Sequence, residues 1–309
     1  PTTSGPDTVY VHAVGSTSPV TNGRQYTLTK RRWAVQLYTS YMQAHVTGLE
    51  TTGNSYADGS LVVDGYAEDC VARDGRIHNA FILGKAVDCQ ALSIEAGSNS
   101  TMFVSYIDVG FGGPSNRNTL YIGCIAAAQR TALSLSGFYV HTDGVREFGT
   151  IEYRDCRSVG CDAGWGGMQA QTFVCYRCTY DDTINAFGVY GSQGAYILGG
   201  TGKVRAGFTE GGLVYINTTA PTSDFVIRGC KVYSAGSFGP VFVFAPFSNI
   251  RLERCTIATG GGLVKLMRGN VTFKHNVAAY GNMVCIALGT AGNQVESLDT
   301  DFNCHWVPF

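Results

Sequence analysis

The sequence predicts an all-β chain, a solenoid of about ten short coils stacked in parallel, and three observations carry that prediction. One phrase is written three times between Asp224 and Tyr280: FVIRGCKVYS at Phe225–Ser234, IRLERCTIAT at Ile250–Thr259 and VTFKHNVAAY at Val271–Tyr280. Aligned on Cys230, Cys255 and Asn276, the copies are 25 and 21 residues apart, which is a solenoid period. Within each copy, apolar residues fall three before and two after the aligned position: Ile227 and Val232, Leu252 and Ile257, Phe273 and Ala278. That is strand alternation. Forty glycines supply corners, and no stretch carries helical periodicity.

The template extends backwards through Cys178, Cys156, Cys124, Cys89 and Cys70. A weaker copy puts Gly207 in the aligned position, Asp301 makes a poor last copy, and Met42–Thr47 reads as an irregular first turn. The coil at Cys255 shows the plan. Ile250–Glu253 is a first strand, Arg254 a turn, Cys255–Thr259 a second strand, Gly260–Gly262 a corner and Leu263–Met267 a third strand. A unit this short cannot bury its own apolar face, so it must stack on its neighbours. The seven cysteines at the repeat position then form an internal ladder with steps of about 4.8 Å. They read as buried small hydrophobes. Cys175–Cys178 is a CxxC, but both positions point inward in the template, so the motif is read as structural.

In this repeat pattern the chain resembles the right-handed parallel β-helix proteins of the pectin-lyase-like superfamily, whose coils carry a ladder of Asn or other small residues after the second turn. The resemblance spans nearly the whole chain and implies a single-stranded right-handed parallel β-helix. The expected division is an N-terminal cap and lead-in over 1–40, the β-helix over 41–301 and a C-terminal cap over 302–309.

A net charge of −1 with 15% charged residues leaves no electrostatic footprint for a nucleic-acid partner. No apolar run approaches the roughly 20 residues of a membrane span. No signal peptide is visible and Pro1 lacks a preceding Met, so a trimmed or mature form is expected. Eleven cysteines without a disulfide framework indicate folding in a reducing compartment.

Taken in order, Pro1–Arg24 is loop-rich with a strand at Val9–Val14, and Lys30, Arg31 and Arg32 read as a solvated edge over the first coil. Three long connections fall between the third strand of one coil and the first of the next: Asp108–Asn118, Gly137–Gly149 and Gly191–Gly202. Insertions in a repeat scaffold are where function concentrates. They would wall a floor made by outward positions of the third strands: Gln169, Gln171, Asn185, Phe187, Tyr215, Asn217 and Lys265. Amides and aromatics with few charges suit a carbohydrate, through planar donor–acceptor groups and ring stacking. Trp165, at a nearby corner, joins this substrate-binding set.

The opposite edge of the floor is acidic. The corners Cys161–Gly167, Asp181–Thr183 and Glu210–Gly212 bring Asp162, Asp181, Asp182 and Glu210 to one rim. Axial steps of about 5 Å for one coil and 10 Å for two bracket the carboxyl separations of retaining and inverting glycosidases. Like charges this close raise one pKa, as a general acid requires. Asp182 and Glu210 are the expected pair, with Asp181 and Asp162 in reserve. Turn capping by Asp and a bound Ca²⁺ are the competing uses of the rim; no other metal and no cofactor is expected. TYDDTINAFG at Thr179–Gly188 resembles the DD-containing turn of polygalacturonase-type β-helix proteins. The Asn-Thr-Asp, Gly-His-Gly and Arg-Ile-Lys motifs of that family are absent, which argues against its specific chemistry.

A lyase needs a base and a cation to neutralise a uronate. Tyr139, His141 and Arg146 offer the first, Lys265 or Arg205 the second, and His78 is a base several coils away. The chain also resembles phage tailspike polysaccharide depolymerases, which implies a homotrimer on a virion or in the extracellular space, folded first in a reducing cytoplasm. The expected activity is a glycoside hydrolase acting on a polysaccharide, without nucleic-acid or membrane partners. A polysaccharide lyase and a non-catalytic glycan- or receptor-binding spike are the alternatives.

Overall fold

The computed structural model describes residues 35–37, 44–52, 61–74, 78–93, 101–107, 118–128, 136–142, 149–168, 172–183, 185–189, 194–204, 212–216, 223–234, 241–243, 248–259, 264–266, 269–280, 286–287, 295–301 and 304–306. Arg31–Phe309 forms one compact unit; Pro1–Lys30 lies outside the described residues. Among the described residues there are strands and no helix. The strands stack in parallel as a β-solenoid, each pairing with the equivalent strand one turn of chain away.

Three rows of strands run along the molecule. The first row includes Thr150–Arg154, Thr172–Tyr176, Gly194–Leu198 and Ser223–Arg228. The second is an eleven-stranded sheet from Glu50–Thr52 to Cys304–Trp306. The third includes Ser136–Thr142, Ala163–Met168, Asn185–Val189 and Gly212–Ile216. First and third rows belong to one twenty-stranded sheet because Leu61–Glu68 and His78–Val87 run through both. Those two strands bend at Gly65 and Gly84, which face each other in register with φ of 141° and 125°. A Cβ on Gly84 would collide with the Gly65 carbonyl, so only glycine fits there.

The turn between first and second rows is one residue in the left-handed region. Gly48, Asp69, Asp88, Gly123, Asp155, Arg177, Gly199, Gly229, Arg254 and His275 all have φ between 48° and 70°. From Gly48 to Arg254 each of these amides bonds across to the next coil: Asp69 N–H to Val87 O, Asp155 N–H to Tyr176 O and Gly229 N–H to Glu253 O, at 2.9–3.1 Å. One αL residue between two extended strands bends the chain without leaving the turn's N–H unpaired.

The next residue is the ladder. Register places Leu49, Cys70, Cys89, Cys124, Cys156, Cys178, Gly200, Cys230, Cys255 and Asn276 in one column. The seven ladder cysteines are buried and free, as are Cys161 and Cys175. Beyond filling space, the thiols donate to carbonyls around the turn: Cys230 Sγ lies 3.5 Å from Ile197 O and 3.6 Å from Arg228 O. Asn276 does the same work with stronger bonds, accepting from Cys255 N–H and donating to Leu252 O, each at 2.9 Å. Under the third row, Phe103, Phe138, Trp165 and Phe187 stack as a second ladder with centroids 5.1, 5.2 and 4.8 Å apart.

Several sequence expectations need correction. Gly200, not Gly207, takes the ladder position, because Thr201 pairs with Thr179 and Lys231. Asp301 pairs with Lys274, two residues ahead of the ladder. Leu49 makes the first turn a regular one. Gly194–Leu198 and Thr201–Val204 are strands, so Gly191–Gly202 is mostly a coil rather than an insertion. Ser136–Thr142 likewise takes half of the Gly137–Gly149 segment into the third row, with Phe138 and Val140 buried. Strand stacking also passes the expected boundaries at 41 and 301: Val35–Leu37 pairs with Leu61–Val63, and Cys304–Trp306 with Val277–Ala279.

Candidate functional site

The corner from second to third row carries the acidic residues, and register locates them. Ala163, Asn185 and Gly212 lie in one column. Asp162 sits one residue before that column, Asp182 three before and Glu210 two before. Glu210 is outside the described residues. Asp162 and Asp182 therefore reach the same corner in successive coils.

Asp182 is more than a turn residue. It stands within the strand Thr179–Thr183, between Asp181, which pairs with Lys203, and Thr183, which pairs with Val204. The extra residue is a bulge, and Asp182 takes φ 54° to make it. Asp181 is exposed, and its carbonyl accepts the Gly160 N–H at 3.0 Å. The expected DDT corner is thus a strand with a kink in it.

Behind this bulge the core breaks its own rules. Ser158 Oγ, Trp165 Nε1, Tyr180 OH and Thr183 Oγ1 are buried without a hydrogen-bond partner. Ser158 pairs in register with Tyr180, and Gly202, next in that column, leaves room for the Tyr180 ring. Burial pushes the Tyr180 phenol well above its ordinary pKa. Each such atom costs about 1–3 kcal/mol where neither protein nor water meets it.

The floor needs two corrections. Phe187 and Trp165 are fully buried in the aromatic ladder and cannot stack on a ligand. Alternation explains the error, since Phe187 pairs in register with Trp165 and both face inward. The neighbouring column holds Gly188, Tyr215, Phe242 and Lys265 in register. Tyr139 takes the matching place one residue after Phe138, is half-buried, and has its phenol pKa raised by burial. Asn185 opens its strand, and His141 lies near the end of Ser136–Thr142. Gln169, Gln171, Asn217, Arg146 and Arg205 lie outside the described residues, as do Lys30 to Arg32. His78 is the first residue of His78–Val87, on the third-row side but several coils away.

Among the described residues no group of three or more His, Cys, Asp or Glu side chains forms a metal site, and no helix is long and apolar enough to cross a membrane. Ser158, Tyr180 and Thr183 escaped sequence reasoning because strand alternation shows only that they face inward. No family model matches the chain, and no curated protein or solved structure matches it either.

Proposed function

We propose that the protein is a right-handed parallel β-helix of about ten coils that binds a polysaccharide along its third-row face and cleaves it as a glycoside hydrolase. One observation supports this most: the bulge at Asp182, its left-handed backbone and four unpaired buried polar atoms coincide in the coils that carry the acidic corner. Strain and unmade hydrogen bonds persist where function requires them. In this reading one carboxyl of the Asp182–Glu210 pair is protonated and gives its proton to the glycosidic oxygen. The other, ionised, attacks the anomeric carbon. One coil of separation, about 5 Å, favours the retaining course, with water then releasing the sugar and the first carboxylate acting as base.

The lyase alternative draws on Tyr139, Tyr215 and Lys265, one residue beyond the aromatic ladder's column in their strands. Its weakness is Tyr139, whose raised pKa makes it a poor proton acceptor at neutral pH, so His141 would have to serve. A homotrimeric tailspike on a virion, folded in a reducing cytoplasm, is the biological setting we propose, and a non-catalytic spike is the remaining reading.

A panel of capsular, lipopolysaccharide, plant and algal glycans tests the proposal, with reducing ends and ultraviolet-absorbing unsaturated uronate measured in parallel. Asp182→Asn and Glu210→Gln should each lower reducing-end release by at least about 10² without changing the fold. Full activity in both variants sinks the hydrolase. Unsaturated product would establish the lyase, and binding without either product the spike.

A further inference from the structure

The edge where the first row turns into the second carries a charge gradient that the net charge of −1 conceals. In the coils of Leu49, Cys70, Cys89 and Cys124 this edge holds Glu50, Glu68, Asp69 and Asp88 against Lys85, a balance of −3, or −2 once Arg73, which donates to Glu50 at 2.7 Å, is included. In the coils of Cys156 through Cys255 it holds seven cations, Arg154, Arg157, Arg177, Arg228, Lys231, Arg251 and Arg254, against Glu152, Asp155 and Glu253, a balance of +4. Three of the arginines are tied to these carboxylates at 2.6–2.7 Å. Arg157, Lys231, Arg251 and Arg254 are exposed and make no ion pair among the described residues.

Between the cations of the two ends lie the coils of Cys178 and Gly200, and there the first-row positions Val174, Tyr176, Tyr196 and Leu198 are apolar or aromatic. Tyr176 is 41% exposed, with the Arg177 guanidinium 4.7 Å from its ring centroid. Tyr196 leans along the sheet over Gly194, where a Cβ would sit 3.1 Å from its ring. Val174 pairs with Tyr196, and Tyr196 with Val226, so the patch is continuous in register. From Arg157 to Arg254 the track spans four coils, about 20 Å.

We propose that this edge is a second binding track, separate from the third-row face, that takes a strand of acidic polysaccharide lying along the solenoid axis. Arg157 at one end and Lys231, Arg251 and Arg254 at the other receive carboxylate or sulfate groups, and sugar ring faces rest on Tyr176 and Tyr196. Charge complementarity selects the anion, and tyrosines lying along the sheet select a ring with an apolar face. The assignment to a glycan rests on the carbohydrate reading above but not on cleavage. Such a track would hold the polymer while the acidic corner works on another stretch of it.

The test measures binding of polygalacturonate, hyaluronate and heparin, with neutral dextran and a single-stranded oligonucleotide as comparisons. At least one acidic glycan should bind, more weakly as salt rises, and dextran should not. Arg157→Gln/Lys231→Gln/Arg251→Gln should weaken that binding about tenfold or more and flatten its salt dependence, with an unchanged melting temperature. Tyr196→Ala should weaken it with the salt dependence kept. Asp182→Asn should leave it intact, so failure of the hydrolase reading and failure of the track are told apart. Unchanged binding in the triple variant, no binding of any of the three glycans, or an oligonucleotide bound as tightly as the best of them would each overturn the track.

Discussion

Asn276 stands one coil beyond Cys255 and ties two backbone groups at once, its Oδ1 accepting the Cys255 N–H and its Nδ2 donating to the Leu252 carbonyl. No thiol in the ladder can accept and donate so well. Asn276→Ala should therefore cost about 1–3 kcal/mol, since both buried groups lose their partner. Urea unfolding measures it, and a loss below roughly 0.5 kcal/mol would mean the bonds are replaced.

The thiols set a pH limit. Hydrogen bonding to Cys124 pushes Cys89 up, hydrogen bonding to Cys156 pushes Cys124 up, and burial pushes Cys156, Cys175 and Cys178 up. A thiol whose pKa is raised by folding stays protonated in the native state while the unfolded chain releases its proton. Its stabilising contribution is complete below the unfolded value near 9.0 and is lost as pH climbs above it. Stability should fall steeply from pH 9 to 10, by up to about 1.4 kcal/mol per pH unit for each such thiol. Cys124→Ala should flatten that slope, measured by urea midpoints across pH. An identical slope in the variant would contradict the account.

Phe187 separates packing from binding. Stacked on Trp165 and fully buried, it should cost about 3–5 kcal/mol when replaced by alanine. Any loss of glycan binding in Phe187→Ala should track its unfolding. Reduced binding at full stability would put the ring back on the surface.

The left-handed turn column offers a graded test at Arg254, φ 54°. A β-branched side chain is worst placed there, so Arg254→Val should destabilise by about 1–2 kcal/mol, whereas Arg254→Gly should be neutral or better. Thermal melts of the two variants should differ in that order. Equal melting temperatures would show the turn to be unstrained.

Arg177 and Asp155 make a bidentate pair across adjacent turns at 2.7 and 2.8 Å. The hydrogen bond from Arg177 holds the Asp155 carboxyl below its ordinary pKa. Both side chains are exposed, so Asp155→Asn should cost no more than about 1 kcal/mol. A folded pKa that is lowered stabilises above the unfolded value and fades as pH drops through the folded one, so Asp155→Asn should differ from wild type at pH 7 and converge with it only once pH has fallen below the ordinary carboxylate range. A difference that persists at acid pH would have another origin.

The repeat was legible because one position, the cysteine after the turn, is chemically distinctive and recurs; from Cys255 alone the three strands of its coil could be placed. Gly200 was missed because a ladder residue without a side chain leaves no mark, and Gly207 lay near the expected spacing. Face assignment failed at Phe187 for a different reason, since a third-row strand of five residues gives too few alternations to fix its phase, and at Trp165 because the expected Gly-rich corner is a strand. The acidic corner could be read from sequence, but the bulge at Asp182 could not, because an extra residue shows only against a partner strand. The basic edge was within reach. Aligned on the ladder, Asp69 and Asp88 precede the early cysteines where Arg177 and Arg254 precede the later ones, yet whole-chain charge averages that contrast away.

From Gly48 to Arg254 the turn amide donates to a carbonyl in the coil that follows, and the following coil donates back after its own turn, as Val71 N–H does to Leu49 O. No coil is complete until its successor exists. The chain then assembles as a crystal grows, each layer laid on the template of the last and the newest face always unfinished. Translation delivers the coils in that same order, so synthesis and accretion advance in step. A chain halted at any coil presents the same sticky face that its next layer would have covered.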